Sequence, residues 1–361
     1  MKAPVSIVGV GTVTSVGLSA VQTAASVRAG ISRLTETGWE GKDGNPYRGG
    51  FLAEDSLPGL HRKTFDITAD STTARLLQLA GPALHEAAEA LPARGESIGL
   101  ILGLRSLEPL QGMTPKFFFE NLMRQSQVRF DPAASSIVVG GRAAGLLAIQ
   151  EGARRIADGF GAPLIAGGVD SYYDLPRLVD LDFDGRILNE ANLDGFIPGE
   201  GAGFVALAPA SRRAEADPLG KILATAKGFE PGHLYSDAPM QVEGMTQTLA
   251  DLFRQVSPEW LPCHTAYVNL TGEQVGAKEW AIAAMRNRPS LSDTLTLVHP
   301  AEAFGEAGAA MGPIMVSLAM RGWQRVYHTG PLLVACSADH GECAAVYLAP
   351  IRKGGASPWP S

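Results

Sequence analysis

At 361 residues, with 45% hydrophobic and 19% charged residues and 42 glycines, the chain can bury a large core without disulfides or metals, which excludes a disordered or small stapled protein. A formal net charge of −7 and the lack of any run of Lys and Arg exclude nucleic acid as an expected partner. Cys263, Cys336 and Cys343 match neither an even disulfide framework nor a metal-ligand spacing, so reduced thiols are expected and no metal or cofactor is implied.

The opening stretch MKAPVSIVGVGTVTSVGLS carries an apolar patch that glycines and threonines interrupt well short of a signal-peptide core or a membrane span. It reads as a first strand, Val5 to Val10, and the protein as cytoplasmic with no membrane contact. An alanine-rich helical segment from Leu18 to Ala29 stops at Gly30, and the stretch that follows, rich in Gly, Pro and Asp, reads as loop. A second helix covers Ser71 to Ala90, with Ser71 or Thr72 able to cap it, and the strand Ile98 to Gly103 comes next. Lys116 to Gln125 reads as a short aromatic helix, more in keeping with core or a dimer surface than with an acyl channel. Ile137 to Gly141 is a strand running directly into a helix from Ala143 to Ala157, and Pro163 to Gly168 is the next strand. Gly199 to Leu207 gives glycines and then a strand, after which the polar stretch Arg212 to Asp217 looks like a crossing.

From Lys221 the pattern recurs: Ile222 to Lys227 as strand, Met245 to Val256 as helix, Ala266 to Leu270 as strand and Lys278 to Arg286 as helix. Leu295 to Val298, a helix from Ala307 to Met320 and a hairpin of Leu332 to Ala335 with Ala344 to Leu348 complete it. Short β-branched runs alternating with alanine-rich helical stretches predict a layered α/β protein with largely parallel sheets. Periodicity alone does not separate two packed halves in five layers from two independent doubly wound domains.

The motifs separate them. AGGVDS (Ala166 to Ser171) and DGFIPGEGAGFVAL (Asp194 to Leu207), preceded by the helical string AIQEGARRIADG, closely resemble segments of β-ketoacyl-ACP synthases of the elongating type, in the thiolase-like superfamily. The matching positions include Asp194, Gly195, Phe196, Gly199, Glu200 and Gly201, and VSIVGVGTVTSVG looks like the family's opening strand and turn. The resemblance implies a thiolase-like α-β-α-β-α fold of two repeated halves, residues 1–211 and 221–361, in one compact unit that pairs as a dimer. No Lys-Ser/Thr follows the glycines at 199–203, so they read as permitting tight turns and close backbone approach, not as a phosphate cradle.

The family's chemistry needs a cysteine at the N-terminus of a buried helix, where backbone N–H groups and the helix dipole favour a thiolate and an oxyanion, and two histidines from the second half. Aligning Ala148 and Ile149 on the family's Ala-Ile places Arg142 on the cysteine. An always-protonated guanidinium is neither nucleophile nor base. The string VNLTGE places Thr271 on the first histidine, EAFGEAG places Glu302 on the second, and SADHG places Asp339 on an aromatic gate beside His340. The changes at Arg142, Thr271 and Glu302 all remove the same reaction. A buried arginine requires acidic partners, and the expected one is Glu302.

For Arg142 two readings stand: a structural pair plugging a disused pocket, or an anion site for a carboxylate or a phosphopantetheine phosphate. His340 and Glu273 read as solvated loop residues or as new acid–base groups, and Cys336 and Cys343 as buried thiols or as a relocated nucleophile. The leading expectation is a non-condensing homologue acting through protein contacts, as a homodimer or with a related ketosynthase-like subunit, with an acyl carrier protein as a further partner class. An adaptor in a bacterial cluster such as a secretion system, and an acyltransferase with a non-standard site, are the alternatives.

Overall fold

The first apolar run forms strand β1 (Val5–Thr14), buried along its whole length at the centre of a ten-stranded mixed sheet. In this computed structural model, residues 5–62, 64, 71–91, 98–110, 113–210 and 217–351 are described. Chain order continues α1 (Ala20–Arg28), β2 (Thr35–Glu40), β3 (Pro46–Gly49), α2 (Thr72–Ala88), β4 (Gly99–Leu104), α3 (Pro115–Ser126), β5 (Ser136–Val139), α4 (Ala144–Ala157), β6 (Leu164–Ser171), α5 (Leu175–Phe183) and β7 (Glu200–Pro209). It then runs β8 (Gly220–Phe229), α6 (Glu243–Arg254), β9 (Cys263–Val268), α7 (Gln274–Arg286), β10 (Leu291–Val298), α8 (Ala301–Phe304), α9 (Met311–Gln324), β11 (Leu332–Ser337) and β12 (Glu342–Ala349). The expected crossing at 212–217 lies, apart from Asp217, outside the described residues.

The sheet order is β10-β9-β11-β12-β8-β1-β7-β6-β4-β5, and its two five-stranded halves repeat one pattern. In each, the first strand is antiparallel to the last (β1 with β7, β8 with β12), the last is antiparallel to the one before it, and two parallel pairings follow out to the edge. The halves join where Val5 to Ile7 of β1 pair with Gly220 to Ile222 of β8.

Period-two alternation sorts each strand's side chains between layers. Leu100, Leu102 and Leu104 of β4 turn to an outer layer with Leu77, Leu84 and Phe118 of α2 and α3, whereas Ile101 turns inward to Leu146 and Ile149 of α4. On β12, Ala345 and Tyr347 turn outward to Leu249 and Leu252 of α6, and Val346 turns inward to Met311 and Met315 of α9. The result is α-β-α-β-α, with α4 and α9 between the sheets. Each fully buried Leu or Ile side chain contributes on the order of 1.5–3 kcal/mol.

The caps follow the sequence: Ser71 accepts from Ala74 N at the head of α2 and Thr114 from Phe117 N at the head of α3. The loop expected after α1 instead contains the antiparallel pair β2 and β3. This ribbon is polar and outside the main sheet, so it has no apolar alternation to announce it. Helix α5, capped by Asp174, is a further element beyond those the sequence pattern predicts.

Candidate functional site

Arg142 lies in a 3-10 turn, Gly141–Ala143, that leads from β5 into α4. Gly141 has φ +54°, and a Cβ there would stand 2.9 Å from Ala338, so glycine brings the loop after β11 against the head of α4. A Cβ on Gly145 would meet Ala309 O at 2.1 Å, which lets the approach to α9 close on the same point.

The N-terminal end of a helix favours an anion, yet Arg142 sits there with only 6% of its surface exposed. Carboxylates from the second half neutralise it. Nη1 donates to Oε2 of Glu273 at 3.1 Å, and Nε is 3.5 Å from Oδ1 of Asp339. Arg186, which follows α5, shares both partners: Nε donates to Oε1 of Glu273 at 2.5 Å and Nη2 to Oδ1 of Asp339 at 3.2 Å. Nη1 of Arg186 also donates to Tyr235 Oη at 3.0 Å. The Phe196 ring lies 4.5 Å from the Arg142 guanidinium and 5.3 Å from that of Arg186, so its face helps to hold two like charges in one place.

Burial alone would raise the Glu273 and Asp339 carboxyls, but the field of Arg142, reinforced by Arg186, outweighs it and both titrate below their ordinary range. Glu306 differs. It is fully buried, and desolvation pushes it up to about 7 even though Arg142 and the Gly308 N–H pull the other way. Its Oε1 accepts from Gly308 N at 2.6 Å, while its Oε2 and Nη2 of Arg142 are buried without a hydrogen-bond partner among the described residues.

The expected pair of Arg142 with Glu302 is not formed. The Glu302 side chain is 74% exposed, 3.6 Å from His299, because it begins α8 on the outer side of the turn. Four residues later Glu306 faces the site, immediately before the Gly308–Ala310 turn that opens α9. Thr271 donates to Glu273 Oε2 at 3.1 Å, and Asp339 joins both arginines. His340 is exposed at the mouth, stacked 5.0 Å from the Tyr235 ring. Sequence reasoning missed Arg186 and Glu306. For Glu306 a usable signal existed, its place directly before the glycine- and alanine-rich helix start, whereas no local pattern marks Arg186.

The motif at 194–201 builds the floor. Asp194 accepts from Gln274 N at 2.8 Å and so fixes the first turn of α7, next to Glu273. Gly195 packs where a Cβ would stand 2.6 Å from Ile187 C, and buried Phe196 donates its N–H to Arg186 O at 2.8 Å. Gly199 donates to Glu306 O at 2.9 Å, with Phe304 O only 2.3 Å from where a Cβ would be. Glu200 is held by Arg75 at 2.6 Å and by Ser171, and Gly201 lets β7 pass Val13 of β1.

The space left between Arg142, Thr271, Glu273, Asp339, His233 and Met240 is about 50 Å³. That is room for a few water molecules, each needing about 10–15 Å³ of such free space, and not for a thioester-linked acyl chain. Cys336 is fully buried and its thiol is pushed well above its ordinary value, first by burial and then by Glu306. A reactive cysteine needs the opposite surroundings. Burial also pushes the Cys263 thiol up to about 11 and raises that of Cys343. Among the described residues no His, Cys, Asp and Glu group could hold a metal ion, and no helix is long and apolar enough to cross a membrane.

No protein-family model and no curated protein matches the chain. Solved structures do. A type II PKS acyl-carrier protein in complex with its ketosynthase gives a TM-score of 0.77 at 15% identity, over 97% of this chain and 100% of the matched one. The ketosynthase from module 6 of the bacillaene synthase of Bacillus subtilis 168 gives 0.78 at 13%, over 97% and 72%. The ishigamide ketosynthase/chain length factor gives 0.74 at 16%, over 98% and 100%. The chain therefore has the thiolase-like ketosynthase fold, the architecture its motifs implied.

Proposed function

We propose that this protein is a non-condensing homologue of the ketosynthases, acting through protein contacts as a homodimer or as the partner of a related catalytic subunit. The observation that carries the reading is the closed charge network at the head of α4. Arg142 and Arg186 share Glu273 and Asp339, and about 50 Å³ remains beside them. A guanidinium cannot take an acyl group, and Thr271 cannot act as an acid near neutral pH.

The pairing part of the reading rests on β5. It ends the sheet with its outer edge unpaired among the described residues, and Val139 at its end is 49% exposed. An exposed apolar edge strand invites a second strand. That the fold neighbours include a ketosynthase/chain length factor and a ketosynthase with its acyl-carrier protein makes a ketosynthase-like subunit, or a carrier protein, the partner classes to test first. The test is sedimentation velocity together with an assay of CO₂ release from malonyl thioesters. A dimer that releases no CO₂ above the buffer rate is expected. Steady turnover would overturn the reading, and a monomer would strike the homodimer and leave only pairing with a related subunit.

A further inference from the structure

We infer that the free edge of β2 is a docking site for an extended, basic segment of a partner protein, an inference that stands whether or not the site at Arg142 is inert. Strand β2 pairs only with β3 among the described strands, so one of its edges has no neighbour. That edge faces a cleft of about 780 Å³. Four consecutive residues, Thr35, Glu36, Thr37 and Gly38, line the cleft, whereas no residue of β3 does. Pairing with β3 lapses between Glu36 and Glu40, which leaves the backbone at Thr37 and Gly38 beside the cleft without a strand partner among the described residues. A Cβ on Gly38 would meet nothing within 4 Å, as an open edge requires.

The walls supply side-chain subsites. Leu18, 48% exposed, faces the strand from the turn before α1, and Phe51 and Tyr173 form the base with rings 5.2 Å apart. Trp39, 4.6 Å from Tyr173, carries the surface into an adjoining cleft of about 480 Å³ that shares Glu54 and Tyr173. Glu36, Glu54 and Asp174 line the two clefts against the guanidinium of Arg33. Arg75, also in the wall, is already neutralised by Glu200 at 2.6 Å. The balance is acidic, which suits Lys or Arg alternating with apolar residues on an added strand. A second copy of this chain fits poorly: two β2 edges pairing antiparallel about Gly38 would set Glu36 opposite Glu40.

The test is selection of a random dodecapeptide phage library on the purified protein, followed by titration of the enriched peptide, made synthetically, against wild type, Glu36→Lys/Glu54→Lys and Thr37→Pro. Enrichment of alternating apolar and basic residues is expected, with affinity about tenfold weaker for each variant. The charge variant alters only exposed side chains and keeps the test valid if the proline variant misfolds. No enriched sequence, acidic sequences, binding undiminished in the charge variant, or a concentration-dependent dimer that the charge variant changes would each overturn the inference.

Discussion

Arg142 at the head of α4 and Glu273 at the head of α7 lie 131 positions apart in the chain and meet through a 3.1 Å hydrogen bond. The contact ties the two halves of the fold together beside the small cavity of about 50 Å³. Each partner is nearly sequestered from water, at 6% exposure, so neither is replaceable alone.

Removing Glu273 leaves two buried guanidinium groups with Asp339 as their remaining carboxylate among these ion pairs. Glu273→Ala is expected to lower unfolding free energy by about 3–5 kcal/mol, and Glu273→Gln, which keeps some hydrogen bonds, by less. In the double variant Arg142→Met/Glu273→Met, Arg186 still has Asp339, so the loss is expected to be smaller than the sum of the single losses by about 0.5–3 kcal/mol. Urea denaturation of wild type, Arg142→Met, Glu273→Met and the double variant gives the coupling, and additive losses would mean that the pair is not an energetic unit.

Protonation of Glu306 offers a second handle. Its folded value of about 7 lies above the ordinary 4.5, so the folded state holds a proton that the unfolded state releases, and stability falls as pH rises between those values. The loss is of order 3 kcal/mol across that window. Glu273 and Asp339 act in the opposite sense: depressed in the folded state, they stabilise above the ordinary carboxylate range, and that contribution disappears as acid takes pH below it. Glu306→Gln is expected to flatten the decline between pH 5 and pH 8 without touching the acid limb. A variant whose profile parallels wild type would refute the assignment.

The three thiols are expected to resist N-ethylmaleimide in the native protein and to react together on unfolding, since Cys263, Cys336 and Cys343 are all fully buried. Peptide mapping over time checks this. Rapid native labelling at Cys336 would reopen the possibility of a relocated nucleophile.

At the edge of the sheet, Val139→Asp would place like charges near one another if two copies pair through β5. A dimer affinity reduced by about tenfold or more is expected in sedimentation equilibrium, with unchanged circular dichroism. An unaffected dimer would move the interface elsewhere.

Most of the layered fold could be read from the sequence because strands such as β4 and β12 are fully buried runs and α2 and α3 carry their own caps. Arg142 and Thr271 were within reach because each sits in a short string whose neighbours are informative. The partner of Arg142 was not, since which carboxylate arrives depends on how the turn between α8 and α9 is aimed. Gly305, at φ +76°, separates exposed Glu302 from buried Glu306, and nothing in the side-chain pattern says on which side of it the site lies. Arg186 was silent because its partners come from residues about 90 and 150 positions away. The pair β2 and β3 is not legible in the sequence because a polar two-stranded ribbon carries no hydrophobic period.

Whether the charge network at Arg142 has replaced acyl chemistry is decided by intact-mass measurement after incubation with malonyl and medium-chain acyl thioesters, followed by peptide mapping. An unmodified chain is expected at every time point, in wild type and in Cys336→Ser alike. A stoichiometric acyl adduct that maps to one side chain, and that Cys336→Ser or Arg142→Met removes, would contradict it.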